Sequence, residues 1–199
     1  MVSIALTTYN GEKYIEKQIS SILNQSYKDI EINICDDCST DSTRAILSAL
    51  AKNNEKIKIY FNEKNLGFKK NFEKAISLCN GEYTALSDQD DIWEPWKIQK
   101  ELESITGFDL VCSNALIIDE NDNNAGYTMK NSIGYKYIPV TNKELLFKHL
   151  LHANFVQGST ALAKTEFLKK CLPIPDGFEY HDWWMAFLAL KGQGINYLE

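Results

Sequence analysis

The first half of the chain alternates short β-rich runs with segments of helical periodicity, and this alternation constrains its fold more than any other feature. Strands separated by helices of ordinary length form right-handed βαβ units and a largely parallel sheet. We therefore predict an α/β fold with a Rossmann-like, mostly parallel central sheet flanked by helices. The predicted strands are residues 2–8, 30–35, 57–61 and 83–87, with one of the intervening helices over 69–79.

The second half is less regular, yet it contains no repeat and no linker, so we expect a single domain over residues 1–199. The predicted elements are strands at 108–113, 116–119 and 158–163, a polar loop at 119–126, and helices at 142–151, 165–171 and 181–190.

The charge, the apolar runs and the cysteines of the chain limit the ligands and the location that we expect for it. The net charge of -6 argues against a nucleic-acid surface, which needs clustered Lys and Arg, but it allows a small anionic ligand. The chain has no apolar run of the roughly 20 residues that cross a bilayer and no N-terminal signal pattern, so a cytoplasmic location is expected. The five scattered cysteines predict no disulfide framework, and small buried side chains are favoured over a metal or redox role for Cys35 and Cys38.

Three aspartates, Asp88, Asp90 and Asp91, directly follow the predicted strand 83–87. Ligands of parallel sheets bind beyond the carboxyl ends of the strands, so the loops at 8–10, 36–37 and 88–91 face one crevice. Clustered carboxylates repel one another unless a cation compensates them, which favours Mg²⁺ or Mn²⁺ shared with a phosphorylated ligand. The alternative is a solvated acidic turn that caps the helix starting near Trp96.

The motifs together resemble family 2 glycosyltransferases of the GT-A fold, in order and spacing across nearly the whole chain. The D-Q-D-D-x-W version resembles the branch of rhamnosyl and related transferases of bacterial surface glycans. The residues that carry the likeness are Thr8-Tyr9-Asn10, the stretch 34–41, Asn65-Leu66-Gly67-Phe68, residues 80–83 and Ser87-Asp88-Gln89-Asp90-Asp91-Ile92-Trp93.

The resemblance implies a nucleotide-sugar-binding half at 1–113. Thr8 and Tyr9 match positions that line the base and ribose, and Asp37 matches the acid that reads the pyrimidine N3–H. Asp88 and Asp90 match the D-x-D pair, with Asp90 as the direct metal ligand and Asp88 at the ribose or reaching the metal through water. Lys70, like its neighbour Lys69, falls near the nucleotide; from the residues alone, both fit a solvated helix face.

The resemblance also implies an acceptor-binding half at 114–199. Asp182, in the family's acid-plus-aspartate element, corresponds to the general base, although an aspartate at a helix start is also a common cap. His181 and Trp183 are candidate acceptor contacts, and both also fit packing roles. Gly158 and Ser159 resemble the segment that approaches the sugars, with an ordinary strand entrance as the alternative.

The predicted function is an inverting, metal-dependent transfer of a sugar from a UDP- or dTDP-sugar to a hydroxyl of a glycan, lipid-linked or glycoprotein acceptor. Mn²⁺ or Mg²⁺ is the expected cofactor, and a homo-oligomer or peripheral association with the inner membrane face is compatible with it. The alternatives are a catalytically silent nucleotide-binding domain and a sugar-phosphate nucleotidyltransferase. Relatives continue with a Tyr-Arg-x-His-like segment beyond Glu199, so the resemblance implies a C-terminally truncated chain.

Overall fold

The alternating runs of the first half form four strands, each followed by a helix, as predicted. The computed structural model describes residues 1–136, 138 and 141–199. The bounds of the first eight elements are β1 Val2–Thr8, α1 Ile15–Leu23, β2 Ile30–Asp36, α2 Thr43–Lys52, β3 Ile57–Phe61, α3 Phe68–Leu78, β4 Tyr83–Ser87 and α4 Lys97–Ser104.

The second half adds five strands and four helices within the described residues. They are β5 Leu110–Ser113, β6 Leu116–Ile118, β7 Asn124–Thr128, α5 Met129–Ser132, α6 Lys143–Leu150, β8 Ala161–Lys164, α7 Thr165–Lys170, α8 His181–Lys191 and β9 Ile195–Leu198.

The second half differs from the sequence prediction in several places, and one of them is the short helix α5, which the sequence did not predict. The strand expected at 158–163 begins as a 3₁₀ turn over Gly158–Thr160 before β8. The polar loop expected at 119–126 ends early, because residues 124–126 already belong to β7, which pairs with β6 in an antiparallel hairpin. The edge strand β9 was not predicted.

The central sheet has seven strands in the order β3-β2-β1-β4-β8-β5-β9. Pairings among β1 to β4 are parallel, as is that of β5 with β9, whereas β8 runs antiparallel to both of its neighbours. The predicted mostly parallel sheet is therefore confirmed. Because β1, β2 and β4 are adjacent and parallel, the loops that follow them lie at one edge of the sheet.

Each face of the sheet buries its own apolar cluster, since successive side chains of a strand point to opposite faces. Ile4 and Leu6 of β1 pack with α1 on one face, while Ala5 lies in the cluster that includes α3 and α8 on the other. Burying a side chain such as Ile4 contributes about 1.5–3 kcal/mol. None of the described helices is long and apolar enough to cross a bilayer.

Candidate functional site

A cleft of about 500 Å³ lies at the carboxyl ends of β1, β2 and β4, and we call it the strand-end cleft. It brings together five residues predicted for the nucleotide and metal: Thr8, Tyr9, Asp37, Asp88 and Asp90. The other lining residues are Thr7, Asn65, Gly67, Phe68, Asn71 and Gln89.

Gln89 connects the loop after β1 to the acidic loop after β4. Its Oε1 accepts hydrogen bonds from Thr8 Oγ1 at 2.7 Å and from the Tyr9 backbone N–H at 2.9 Å. A Cβ added to Gly11 would lie 2.8 Å from Thr8 Oγ1 and 2.8 Å from Gln89 Cδ, so this close approach requires glycine. Sequence reasoning missed Gln89, whose only signal was its place between two acids.

Asp37 is buried, and its carboxylate organises the neighbouring loop. Oδ1 accepts from Asn62 Nδ2 and from the Leu66 N–H, both at 2.7 Å, and Oδ2 accepts from the Gly67 N–H at 2.9 Å. Gly67 has φ +79°, a backbone conformation that favours glycine. Asp37 therefore shapes one wall of the strand-end cleft while it also lines that wall.

The acidic loop brings together carboxylates that repel one another. Burial and, after it, the nearby carboxylates of Asp91, Asp90 and Asp182 together raise the pKa of Asp88 to about 7. Burial also raises the pKa of Asp91, whose buried Oδ2 has no hydrogen-bond partner in the part of the chain that the structure describes. Such a group of acids favours a cation, because a positive charge would relieve both the repulsion and the burial cost.

The donor set fits an ion that takes only part of its coordination from protein. In the described residues, no three or more His, Cys, Asp or Glu side chains are grouped so that they could hold a metal. Magnesium and manganese suit one or two carboxylates, with phosphate oxygens and water filling the other positions. Asp90, which is exposed on the cleft wall, and the half-buried Asp88 are the residues that would hold such an ion.

Asp182 lies in the first turn of α8 as a buried, hydrogen-bonded carboxylate. The Gly158 N–H donates to its Oδ2 at 2.9 Å, and Asn154 Nδ2 donates to its Oδ1 at 3.0 Å. Burial raises the pKa of Asp182 to about 6, and these hydrogen bonds oppose the rise. At neutral pH the group is ionised yet basic enough to accept a proton, as a general base requires.

His181, beside Asp182, is a buried, neutral side chain. Its ring stacks on Phe72 with centroids 3.9 Å apart, and burial lowers its pKa to about 3. Among the described residues, neither ring nitrogen has a hydrogen-bond partner. A Cβ on Gly158 would lie 2.8 Å from His181 Nε2, so the predicted site glycine is needed for packing against this ring.

Two other predicted acceptor contacts differ in placement. Ser159 is buried in the 3₁₀ turn, where its hydroxyl lowers the pKa of Asp91 against the effect of burial. Trp183 is half-buried against the core and donates from Nε1 to the Leu150 carbonyl at 2.8 Å. The structure thus gives Trp183 the packing role that sequence analysis held as its alternative, outside the lining of the strand-end cleft.

The structure does not bring Lys70 to the strand-end cleft. Its Nζ pairs with Glu73 one turn further along α3, at 2.8 Å, and Lys70 lines a neighbouring cleft instead. Lys69 likewise points away, donating from Nζ to the Phe178 carbonyl at 3.0 Å. This placement does not support the nucleotide contact predicted for Lys70.

With this geometry established, comparison with known proteins identifies the family. Glycosyl transferase family 2 matches residues 3–172. The chain belongs to this family. The rhamnosyl-type branch suggested by the D-Q-D-D motif stays a prediction.

The similar proteins carry related names. Bacillus subtilis TuaG, a putative teichuronic acid biosynthesis glycosyltransferase, is 36% identical over 129 residues, which are 60% of this chain and 51% of TuaG. The chain thus spans about half the length of this curated relative.

Solved structures confirm the GT-A fold. S. aureus TarS 1-349 in complex with UDP-GlcNAc superposes with TM-score 0.76 at 22% identity, covering 99% of this chain and 55% of that one. Glucosyl-3-phosphoglycerate synthase from Mycobacterium tuberculosis, in complex with Mn²⁺, UDP and glucosyl-3-phosphoglycerate, superposes with TM-score 0.67 at 19% identity. This match covers 100% of this chain and 69% of the synthase.

Proposed function

We propose that this chain transfers a sugar from a nucleotide diphosphate donor to a hydroxyl of a glycan acceptor, with inversion, in the synthesis of a bacterial surface polysaccharide. The observation that carries the proposal is the lining of the strand-end cleft, which places the acidic pair Asp88 and Asp90 beside Asp37 at one edge of the sheet. The buried carboxylate of Asp182 is near enough for its charge to raise the pKa of Asp88. The names of the relatives and the ligands of the solved neighbours support this class of reaction.

The donor would occupy the strand-end cleft. Tyr9 offers a half-exposed ring for the base, and Asp37 and Thr8 lie at the same wall. A divalent cation held by Asp90 and Asp88 would supply positive charge against the departing diphosphate. Mn²⁺ is the metal bound by the glucosyl-3-phosphoglycerate synthase neighbour, together with UDP, so UDP with Mn²⁺ is the first combination to test.

Asp182 would accept the proton of the acceptor hydroxyl as that oxygen attacks the anomeric carbon. The hydrogen bonds from Gly158 and Asn154 orient the carboxylate and keep it ionised. A base on the side of the attacking hydroxyl and a charged leaving group on the opposite side give a single displacement, which inverts the anomeric centre. Such a base contributes roughly 10²–10⁴ in rate.

Calorimetric titration of UDP and dTDP, with and without Mn²⁺, tests the donor site. We expect metal-dependent binding by the wild type and its loss in Asp90→Ala. Asp182→Asn is the matched control, because it also replaces one aspartate. It should keep nucleotide binding while losing sugar transfer. Absence of nucleotide binding by the folded wild type with Mn²⁺ present would contradict the proposal. A cytoplasmic location stays the prediction, and association with the inner face of the membrane is compatible with it.

A further inference from the structure

A second cleft, of about 430 Å³, opens beside the strand-end cleft, and we call it the outer cleft. One wall is the start of α3 with the residues before it, 66–70, and the other is the segment 176–179 that leads into α8. Gly67 and Phe68 line both clefts. A ligand in the outer cleft would therefore lie next to a donor bound in the strand-end cleft.

The walls of the outer cleft are held at a fixed separation. Lys69 Nζ donates to the Phe178 carbonyl at 3.0 Å, and the Ile174 N–H donates to Glu73 Oε1 at 2.8 Å. Both bonds join α3, from the first half of the chain, to the segment before α8, from the second. The outer cleft is thus formed before a ligand arrives, which lowers the entropic cost of binding.

Two exposed aromatic rings stand at this junction. Phe68 is 51% exposed and Tyr180 is 47% exposed, and their ring centroids are 5.9 Å apart at an interplanar angle of 36°. Neither ring is needed to fill the core. Exposed aromatic faces beside a cleft offer a flat apolar surface for the C–H face of a sugar ring.

The polar groups around the outer cleft carry both signs of charge. Lys70 lines it together with Asp176 and Glu179, two exposed carboxylates. A phosphate group would be repelled by these carboxylates, whereas sugar hydroxyls both donate and accept hydrogen bonds and can use either kind of partner. Aromatic faces with polar groups of both signs therefore match a glycan better than a nucleotide.

Tyr180 also lies two residues before Asp182, at the start of α8. We infer that the outer cleft binds the acceptor glycan, with a pyranose ring on the Phe68 and Tyr180 faces and the reacting hydroxyl directed toward Asp182. This inference rests on the proposed function and adds the place and chemistry of its acceptor. It assigns Lys70 to the acceptor rather than to the nucleotide.

Saturation-transfer NMR with cellotetraose and chitotetraose, each added to the full chain, tests the inference. Tyr180→Ala removes one ring, and Gly177→Leu adds bulk where a Cβ would meet no described residue within 4 Å. Tyr127→Ala, which removes a similarly exposed ring (47%) on β7, is the matched control. In the wild type and in Tyr127→Ala, we expect saturation transfer from the protein to the ring C–H protons of the oligosaccharide. In Tyr180→Ala and Gly177→Leu, the affinity for the oligosaccharide should be lower than in the wild type by about fivefold or more.

Calorimetry of UDP with Mn²⁺ on the same samples separates this inference from the proposed function. Tyr180→Ala and Gly177→Leu should bind UDP within about twofold of the wild type, because neither residue lines the strand-end cleft. The inference would be overturned if the folded wild type showed no saturation transfer to either oligosaccharide, or if all variants showed equal saturation transfer. Either result would leave UDP binding intact. Oligosaccharide binding without UDP binding would overturn the donor site alone.

Discussion

The backbone N–H of Gly158 donates a 2.9 Å hydrogen bond to Oδ2 of Asp182, and a Cβ on the same glycine would lie 2.8 Å from His181 Nε2. Gly158 is therefore both a partner of the proposed base and the surface on which the neighbouring ring packs. The start of α8 and the 3₁₀ turn at Gly158–Thr160 form one unit around this contact.

Asp182→Asn should reduce transfer by roughly 10²–10⁴ while UDP affinity stays unchanged. The amide cannot take up a proton, and it offers one acceptor oxygen where Gly158 and Asn154 both donate. Steady-state release of nucleotide from the donor measures the rate, and calorimetry measures the affinity. Full turnover by this variant would show that another group is the base.

Gly158→Ala should destabilise the protein by about 1–3 kcal/mol, because His181 or the turn must move to admit the methyl group. Gly177→Ala is the matched control, since no atom of the described chain lies within 4 Å of its added Cβ. Urea unfolding of both variants compares the free energies of unfolding. Equal stability of the two would mean that His181 does not pack on Gly158 as described.

Gln89→Ala should weaken UDP binding in the presence of Mn²⁺ by about fivefold to tenfold, because Thr8 Oγ1 and the Tyr9 N–H both lose their acceptor. Gln99→Ala, which removes an exposed glutamine bonded to Glu103, is the control. Calorimetric titration of both variants gives the comparison. If the two bind UDP equally well, the Gln89 contacts do not organise the cleft.

Lowering the pH should destabilise the wild type through His181. Its folded pKa of about 3 lies below the usual value of about 6.5, so the unfolded chain takes up the proton first as the pH falls. Between pH 6.5 and pH 5 this removes about 1.5 kcal/mol of stability that is present at higher pH. His181→Asn, which does not titrate there, should lose less over the same range in urea unfolding. If the free energies of unfolding of the wild type and His181→Asn changed equally with pH, His181 would be in contact with water in the folded protein.

The sequence predicted the elements whose signals are local. The bounds of β1, β3 and β4 match the prediction, because each is a β-rich run bounded by polar or turn residues. The edge strand β9 depends on pairing with β5, which is distant in sequence and leaves no local pattern. The antiparallel direction of β8 is likewise fixed by its two neighbours and not by its own residues.

In the candidate site too, the sequence predicted what depends on local patterns and missed what depends on contacts between distant residues. The placement of Asp88, Asp90 and Asp37 at one edge followed from the parallel sheet alone, since they come after β4 and β2, which both pair in parallel with β1. The direction of Lys70 depends on the rotation of α3 and on Glu73 at i+3, which favours an ion pair along the helix. Amide partners such as Gln89 and Asn154 lack a sequence signature, because each acts through an approach that only the fold creates.

The position of β8 between β4 and β5 bears on how the chain acquires its structure during synthesis. The donor-side strands end at β4, whose second edge is completed only when residues 161–164 have left the ribosome. Until then a central strand presents unpaired N–H and C=O groups, a condition that invites association with other chains. We therefore expect the two functional halves to fold together, and the first half expressed alone to aggregate.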